Sequence, residues 1–307
     1  MKKIILFLLL TSFAFADLTF DLKNAIKKND VKKITSLLEK GAIPDADTVN
    51  QALKDENYEL FKLLVSTDLD VNSLDSENVS IFTNACMYGN KEIIEMLLTK
   101  GPGIDNKGAF GNTPIYAAVK KDNVEAVEIL IREGASVNNY NNAWYSPLMI
   151  AASNNSKNVT QVLIDNGAKL DYGFREFTTA YSPVLVACAK NSKDVLEILI
   201  ANGADLDDSS KDGVTPLMFA AATNSVDVME ILLRENPELD LDASARTTDN
   251  ALLFAAEVGA KEAVEFLVLN GADIEYENKN GKTALMIAKA KNKREVVNFL
   301  IEQGASE

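Results

Sequence analysis

Blocks of apolar and polar residues recur along this chain about every 33 positions. The run Gly213-Val214-Thr215-Pro216-Leu217-Met218-Phe219-Ala220-Ala221 is echoed by Gly111-Asn112-Thr113-Pro114-Ile115-Tyr116-Ala117-Ala118. With the proline slot as origin, nine equivalents follow one another: Asp21, Thr48, Ile81, Pro114, Pro147, Pro183, Pro216, Ala251 and Ala284, spaced 27, 33, 33, 33, 36, 33, 35 and 33. Four residues after every origin stands an alanine, from Ala25 to Ala288, and sixteen after stands a leucine, from Leu37 to Leu300. Two unbroken columns of this length do not arise by chance.

Local physical chemistry accounts for the other columns. The slot before the origin holds Asp47, Ser80, Thr113, Ser146, Ser182, Thr215, Asn250 and Thr283, whose side-chain oxygens accept from the free N–H groups of a helix start. Proline in the next position suits a first helical residue. Eight residues after the origin come Asn29, Gly89, Asn155, Asn191, Asn224, Gly259 and Asn292, types that tolerate the left-handed conformation that ends a short helix; Glu56 and Asp122 depart from that pattern. Twenty after the origin, Gly41, Gly101, Gly134, Gly167, Gly203, Gly271 and Gly304 stop a second helix in the same way. The predicted repeat is therefore helix, tight turn, helix, glycine stop and extended finger. Its alanine lets two helices approach closely, and its leucine fills the layer between neighbours.

Through the Thr-Pro-Leu-x-x-Ala-Ala opening at 215–221 and the Gly-Ala-Asp closings at 203–205 and 271–273, the chain resembles the ankyrin repeat family over residues 18–307. The resemblance implies an all-α repeat solenoid of about nine stacked helix-turn-helix units with β-hairpin fingers. It also implies a concave face, made of finger tips and first helices, that binds other proteins. Where the family carries histidine after Thr-Pro-Leu, this chain has Tyr116, Met149, Leu185, Met218, Leu253 and Met286. The family's histidine bond between neighbouring turns is then missing, and each repeat is expected to lean on apolar stacking.

Residues 17–307 read as one repeat domain, with a cap repeat at 18–44, repeats over 45–279 and a second cap at 280–307. Lys23, Lys27, Lys28, Lys32 and Lys33 make the first cap polar, as Lys289, Lys291, Lys293 and Arg294 do the last, which suits terminal repeats facing water. Ahead of the array, Lys2 and Lys3 precede the apolar run from Ile4 to Leu10 and the small-x-small pattern Ala14-Phe15-Ala16. Residues 1–16 accordingly read as a signal peptide cleaved after Ala16. As a helix the apolar stretch would extend roughly 20 Å, short of the ~30 Å hydrocarbon core. The chain is expected to be exported, periplasmic or secreted, with no membrane span once the signal is removed.

Composition narrows the chemistry. The 307 residues include no histidine, which removes Ser-His-Asp and Cys-His nucleophile pairs, Cys2His2 zinc sites and histidine-held haem. A net charge of -14 argues against a nucleic-acid partner, since such binders carry a basic stripe. Cys86 and Cys188 each lie five residues after an origin and three repeats apart. At ~8–10 Å per layer their sulfurs fall roughly 25–30 Å from each other, so they read as small core residues and not as a disulfide. The acidic cluster Asp205, Asp207, Asp208 and Asp212, and the pair Asp240 and Asp242, lack EF-hand or Gly-Asp nonapeptide spacing. Phosphate loops, nucleophile elbows and dinucleotide fingerprints are absent from the sequence. No enzymatic activity, catalytic residue, metal site or cofactor is expected.

What remains is a surface. The slots four and two before the origin, and six and seven after it, face the expected concave side, and the fingers flank them. In the central repeats these positions gather Tyr88, Phe110, Tyr140, Trp144, Tyr145, Tyr172, Phe174, Phe177 and Tyr181, the candidate protein-binding set, since aromatic residues dominate interface hot spots. Trp144 occupies a slot otherwise filled by glycine and is also a candidate packing residue. The 36- and 35-residue intervals place insertions near 172–177 and 243–246, and insertions in such arrays fall on loops of one face. The first, being aromatic, is the expected specificity element. The leading expectation is a protein-interaction scaffold whose partner, given the excess of acid, carries some basic surface. The alternatives are a secreted effector acting on a host protein and a periplasmic small-molecule or haem-handling accessory protein using Tyr or Met ligands.

Overall fold

The computed structural model describes residues 18–171 and 182–306. The segment 1–16 expected to be a signal peptide, and with it Tyr172, Phe174, Phe177 and Tyr181, lies outside the described residues. Helices come in pairs, one pair per repeat: α1 (described over 18–27) and α2 (Val31–Glu39), α3 (Ala46–Lys54) and α4 (Tyr58–Val65), α5 (Ile81–Tyr88) and α6 (Lys91–Leu98), α7 (Pro114–Lys120) and α8 (Val124–Arg132), α9 (Pro147–Asn154) and α10 (Lys157–Asp165), α11 (Pro183–Ala189) and α12 (Lys193–Ala201), α13 (Pro216–Ala222) and α14 (Val226–Glu235), α15 (Ala251–Val258) and α16 (Lys261–Leu269), α17 (Ala284–Ala290) and α18 (Arg294–Glu302). The nine predicted repeats and their all-helical character are thus observed. The fingers are turn-rich loops. Among the described residues they contain no strand, only the isolated antiparallel bridge Leu74–Ser80. A finger's few residues between turns leave no length for a ladder, so the expected β-hairpins reduce to single bonds between loops.

Seven of the nine origins are the first residue of their helix. Ser80, Ser146, Ser182, Thr215, Asn250 and Thr283 each accept the N–H three residues on, as N-caps do. The second repeat differs, because α3 starts two residues early and is capped by Asp45, not Asp47. Released from that role, the Asp47 carboxylate accepts the Ser76 N–H at 2.9 Å and its hydroxyl. Where the family's histidine would stand, Met149 and Met218 point their sulfurs back at the cap, accepting the N–H groups of Ser146 at 3.5 Å and Thr215 at 3.4 Å. A thioether is a weak acceptor, so it satisfies a helix-start donor within its own repeat without tying neighbouring repeats together.

The first helix of each repeat is buried nearly all round. Six of eight residues of α5 are buried, and six of seven of α7. The second helix buries only a stripe, such as Ile93, Ile94 and Leu97 in α6. Every member of the alanine column and of the leucine column is buried. Each buried leucine removes a side chain worth about 1.5–3 kcal/mol from water.

Contacts gather the described residues into two compact bodies, an N-terminal one reaching Ser136 and including Asn141–Ala143, and a C-terminal one comprising Val137–Tyr140 and the residues from Trp144 on. In the N-terminal body α5 packs between α3 and α7, and α6 against α8. In the C-terminal body α9, α11, α13, α15 and α17 pack in succession, backed by α10, α12, α14, α16 and α18. Cys86 and Cys188 are free and fully buried, and burial pushes both thiols well above their usual range. Among the described residues no helix is long and apolar enough to cross a membrane.

Candidate functional site

The finger tips are shaped by left-handed residues three before six of the nine origins: Asn78, Gly111, Trp144, Gly213, Thr248 and Gly281 all have positive φ. At Gly111 the reason for glycine is a close approach, since a Cβ there would meet the Asn142 side chain at 2.2 Å. Phe110, one residue earlier, is left-handed as well, with φ 57°, a conformation that costs an L residue about 1–2 kcal/mol. Neighbouring fingers hold it there: Ala109 N–H donates to the Asn78 carbonyl at 2.9 Å, and the Phe110 carbonyl accepts the Asn142 N–H at 2.9 Å. The ring itself stays 79% exposed, the most exposed of the large apolar side chains in the described residues.

Behind Phe110 lies a groove of about 680 Å³ in the N-terminal body, between the fingers at 77–79 and 108–112 and the ends of α3, α5 and α7. Lys54, Tyr88, Phe110, Asn112, Tyr116 and Lys120 line it, with Thr83 and Asn84 on the α5 side. Two candidates, Tyr88 and Phe110, are thus brought to one groove. Tyr88 is half-buried; its carbonyl accepts the Tyr58 hydroxyl at 3.1 Å, and the Lys121 ammonium lies 4.8 Å from its ring centre. Lys54 donates to Glu77 at 3.0 Å, and this hydrogen bond, ahead of burial acting the other way, raises its pKa.

Beneath the groove sits a buried polar cluster. Asp75 accepts the Asn50 amide at 2.8 Å, the Asn84 amide at 3.2 Å, and the N–H groups of Glu77 and Val79 at 3.0 and 2.9 Å. Four donors on one buried carboxylate fix the finger at 77–79 against α3 and α5, and so fix one wall of the groove. This cluster escapes a reading that looks only for aromatic residues, although polar residues such as Asn50 and Asn84 inside otherwise apolar helices are its signal.

In the C-terminal body Tyr140 and Trp144 form a tilted ring pair with centroids 6.4 Å apart. Trp144 adopts the left-handed conformation of its glycine slot, φ 63°, and is 39% exposed, so it packs and presents a surface at once. Tyr145 is half-buried. The same body has a smaller cleft of about 300 Å³ whose apolar floor of Leu206, Leu232 and Leu239 is edged by Asp207, Glu238 and Asp240. Among the described residues no group of acidic or cysteine side chains is arranged to hold a metal ion.

A family model described as ankyrin repeats (3 copies) matches residues 49–141, 82–173, 148–245 and 238–307. Among solved structures, the crystal structure of the human ASB11 ankyrin repeat domain is similar, with 24% identity and a TM-score of 0.65, over 75% of this chain and 100% of that one. At that identity the likeness speaks for the fold alone. No curated protein matches the chain.

Proposed function

We propose that this chain, which belongs to the ankyrin repeat family, is a non-enzymatic scaffold that binds another protein through the concave face of its central repeats. Ankyrin repeats generally mediate protein–protein interaction, and their fold is typically a scaffold without catalysis of its own. The observation that carries the reading is Phe110. It is an aromatic ring kept in water, on a backbone held in a costly conformation by bonds from two other fingers, at the mouth of a groove lined by a second aromatic residue. An anchor whose position is set before binding spends little entropy on docking. In the C-terminal body Tyr140 and Trp144 supply a second aromatic pair.

The test is affinity capture with the chain lacking residues 1–16, beside a variant carrying Phe110→Ala, Tyr145→Ala and Tyr181→Ala. Loss of the captured protein from the variant is expected; equal capture by both would remove the aromatic face as the site. We further propose export through the segment 1–16, on the strength of its charged start, apolar run and small-residue cleavage pattern. Cell fractionation should then recover a chain beginning at Asp17 outside the cytoplasm, and a full-length cytoplasmic product would refute export.

A further inference from the structure

The slots six and seven after each origin lie at the end of the first helix, and they are the slots that bring Met87 and Tyr88 to the groove. In the other repeats of the N-terminal body they hold Lys27, Lys28, Lys54, Asp55, Lys120 and Lys121. The same slots in the five repeats of the C-terminal body hold mainly Ser, Asn, Ala, Thr and Val, with Lys190 and Lys291 the only lysines. A lysine at a helix C-terminus favours the helix dipole, yet α9, α13 and α15 form with no basic residue in their last turn. Helix stability therefore does not account for lysines concentrated at these slots in one body.

The column runs against the sign of the molecule. In a chain of net charge -14, Lys54 and Lys120 line the groove and Lys121 lies over the Tyr88 ring, while the one carboxylate among the described lining residues is Glu77, bonded to Lys54; Asp75 is buried below and saturated by four donors. The apolar centre between these ammonium groups is made by Met87, Tyr88, Ala109 and Phe110. Resting on the scaffold reading above, we infer that this groove takes an extended acidic segment of a protein partner, with one apolar side chain entering between Tyr88 and Phe110 and carboxylates flanking it on the lysine column. The net charge of the whole chain points to a basic partner surface, but contact is made with the groove, whose described lining carries two ammonium groups to one carboxylate. The cleft edged by Asp207, Glu238 and Asp240 has the opposite chemistry and should not take this segment.

The test uses the full chain after signal removal and three fluorescent peptides of about ten residues, roughly 33 Å when extended: acidic with one central leucine, acidic with that leucine replaced by serine, and basic with the leucine kept. Anisotropy titrations should rank the acidic leucine peptide tightest, by about tenfold over either control, with binding that weakens as salt shortens the range of the charges. Phe110→Asn keeps a residue type that accepts the left-handed backbone while deleting the ring, and should lower the affinity about tenfold; Lys120→Glu with Lys121→Glu should do the same. Lys190→Glu with Lys291→Glu, in the other body, should not. Equal binding of the three peptides, preference for the basic one, or indifference to the groove variants would each overturn the assignment. If the peptides fail while affinity capture still depends on the aromatic face, only the acidic segment falls; if both fail, the concave-face reading falls with it.

Discussion

The backbone demand at the turn between the paired helices is more uniform than the residues that meet it. Asn29, Asn155, Asn191, Asn224 and Asn292 are left-handed, as their side chains predict, but so are Glu56 at φ 56° and Asp122 at φ 55°, the two that depart from the pattern. Gly89, which fits the pattern, is extended at φ -83°; it is needed because a Cβ would stand 2.6 Å from the Ala85 carbonyl oxygen. Residue type alone reveals that a column is special, while the neighbours decide whether conformation or space is the reason. One consequence is measurable. Glu56 bears the left-handed penalty without the relief that Asn or Gly provides, so Glu56→Gly should stabilise the protein by about 0.5–1 kcal/mol, seen as a raised urea midpoint at unchanged slope.

Among the elements, the two bodies solve the same capping problem differently. In the N-terminal body the second helices α2, α4, α6 and α8 are capped by their own Asp30, Asn57, Asn90 and Asn123. In the C-terminal body α12 and α16 follow Ser192 and Ala260, which make no cap bond, and borrow a cap from the preceding repeat. Asn155 accepts the Val195 N–H at 3.2 Å, and Asn224 the Ala263 N–H at 2.9 Å. Their amides also donate to Asp194 at 2.8 Å and Glu262 at 2.6 Å. A left-handed turn thus points an amide at the next helix start and couples adjacent repeats. Asn224→Ala should lose both the cap and the favourable φ, about 2 kcal/mol in a urea titration. Adding Ala260→Ser, which offers α16 a cap of its own, should restore part of that loss; no recovery would mean that the Asn224 bonds do not act as a cap. The asparagine column is legible in the chain, but its bonds are not, because they join residues 39 to 40 positions apart.

For the molecule as a whole, acid is the informative variable. Hydrogen bonds hold several carboxyl groups below their usual range: the Ser76 hydroxyl and N–H act on Asp47, the Asn224 amide on Glu262, and the Ser306 N–H and hydroxyl on Glu275. At Asp45 burial pushes upward, but bonds from Lys23 and Thr48 together outweigh it, and the pKa is lowered. These groups contribute stability that is present above the ordinary carboxylate value, about 4, and lost as pH falls through their depressed values. Asp242 opposes them: burial first, and then the charges of Asp273 and Asp240, raise its pKa despite bonds from Asp273 N–H and Asn250. Its contribution is present at low pH and lost as pH rises through the raised value. Net charge adds a further term, since titration from -14 toward the pI of 4.6 relieves repulsion. The urea midpoint should therefore peak between about pH 5 and 6 and fall steeply below about pH 4. Asp47→Asn should flatten the acid limb, and an unchanged limb would exclude the Ser76 bonds as a source.

Nine repeats, seven of their first-helix starts, the glycine stops, and the buried alanine and leucine columns were determined by the sequence alone, because each follows from local rules acting on residues a few positions apart. The finger face and the aromatic character of Tyr88 and Phe110 were visible in the same register, as were the lysines at equivalent slots once the groove drew attention to them. Tertiary structure alone decided that Phe110 is held left-handed by two other fingers, that Asp75 ties a finger to α3 and α5, and that Lys54 and Lys120 meet at one groove with Lys121 over the Tyr88 ring. Those outcomes depend on packing between repeats about 30 residues apart in the chain, where a side chain's neighbours come from the stack and not from the segment it belongs to.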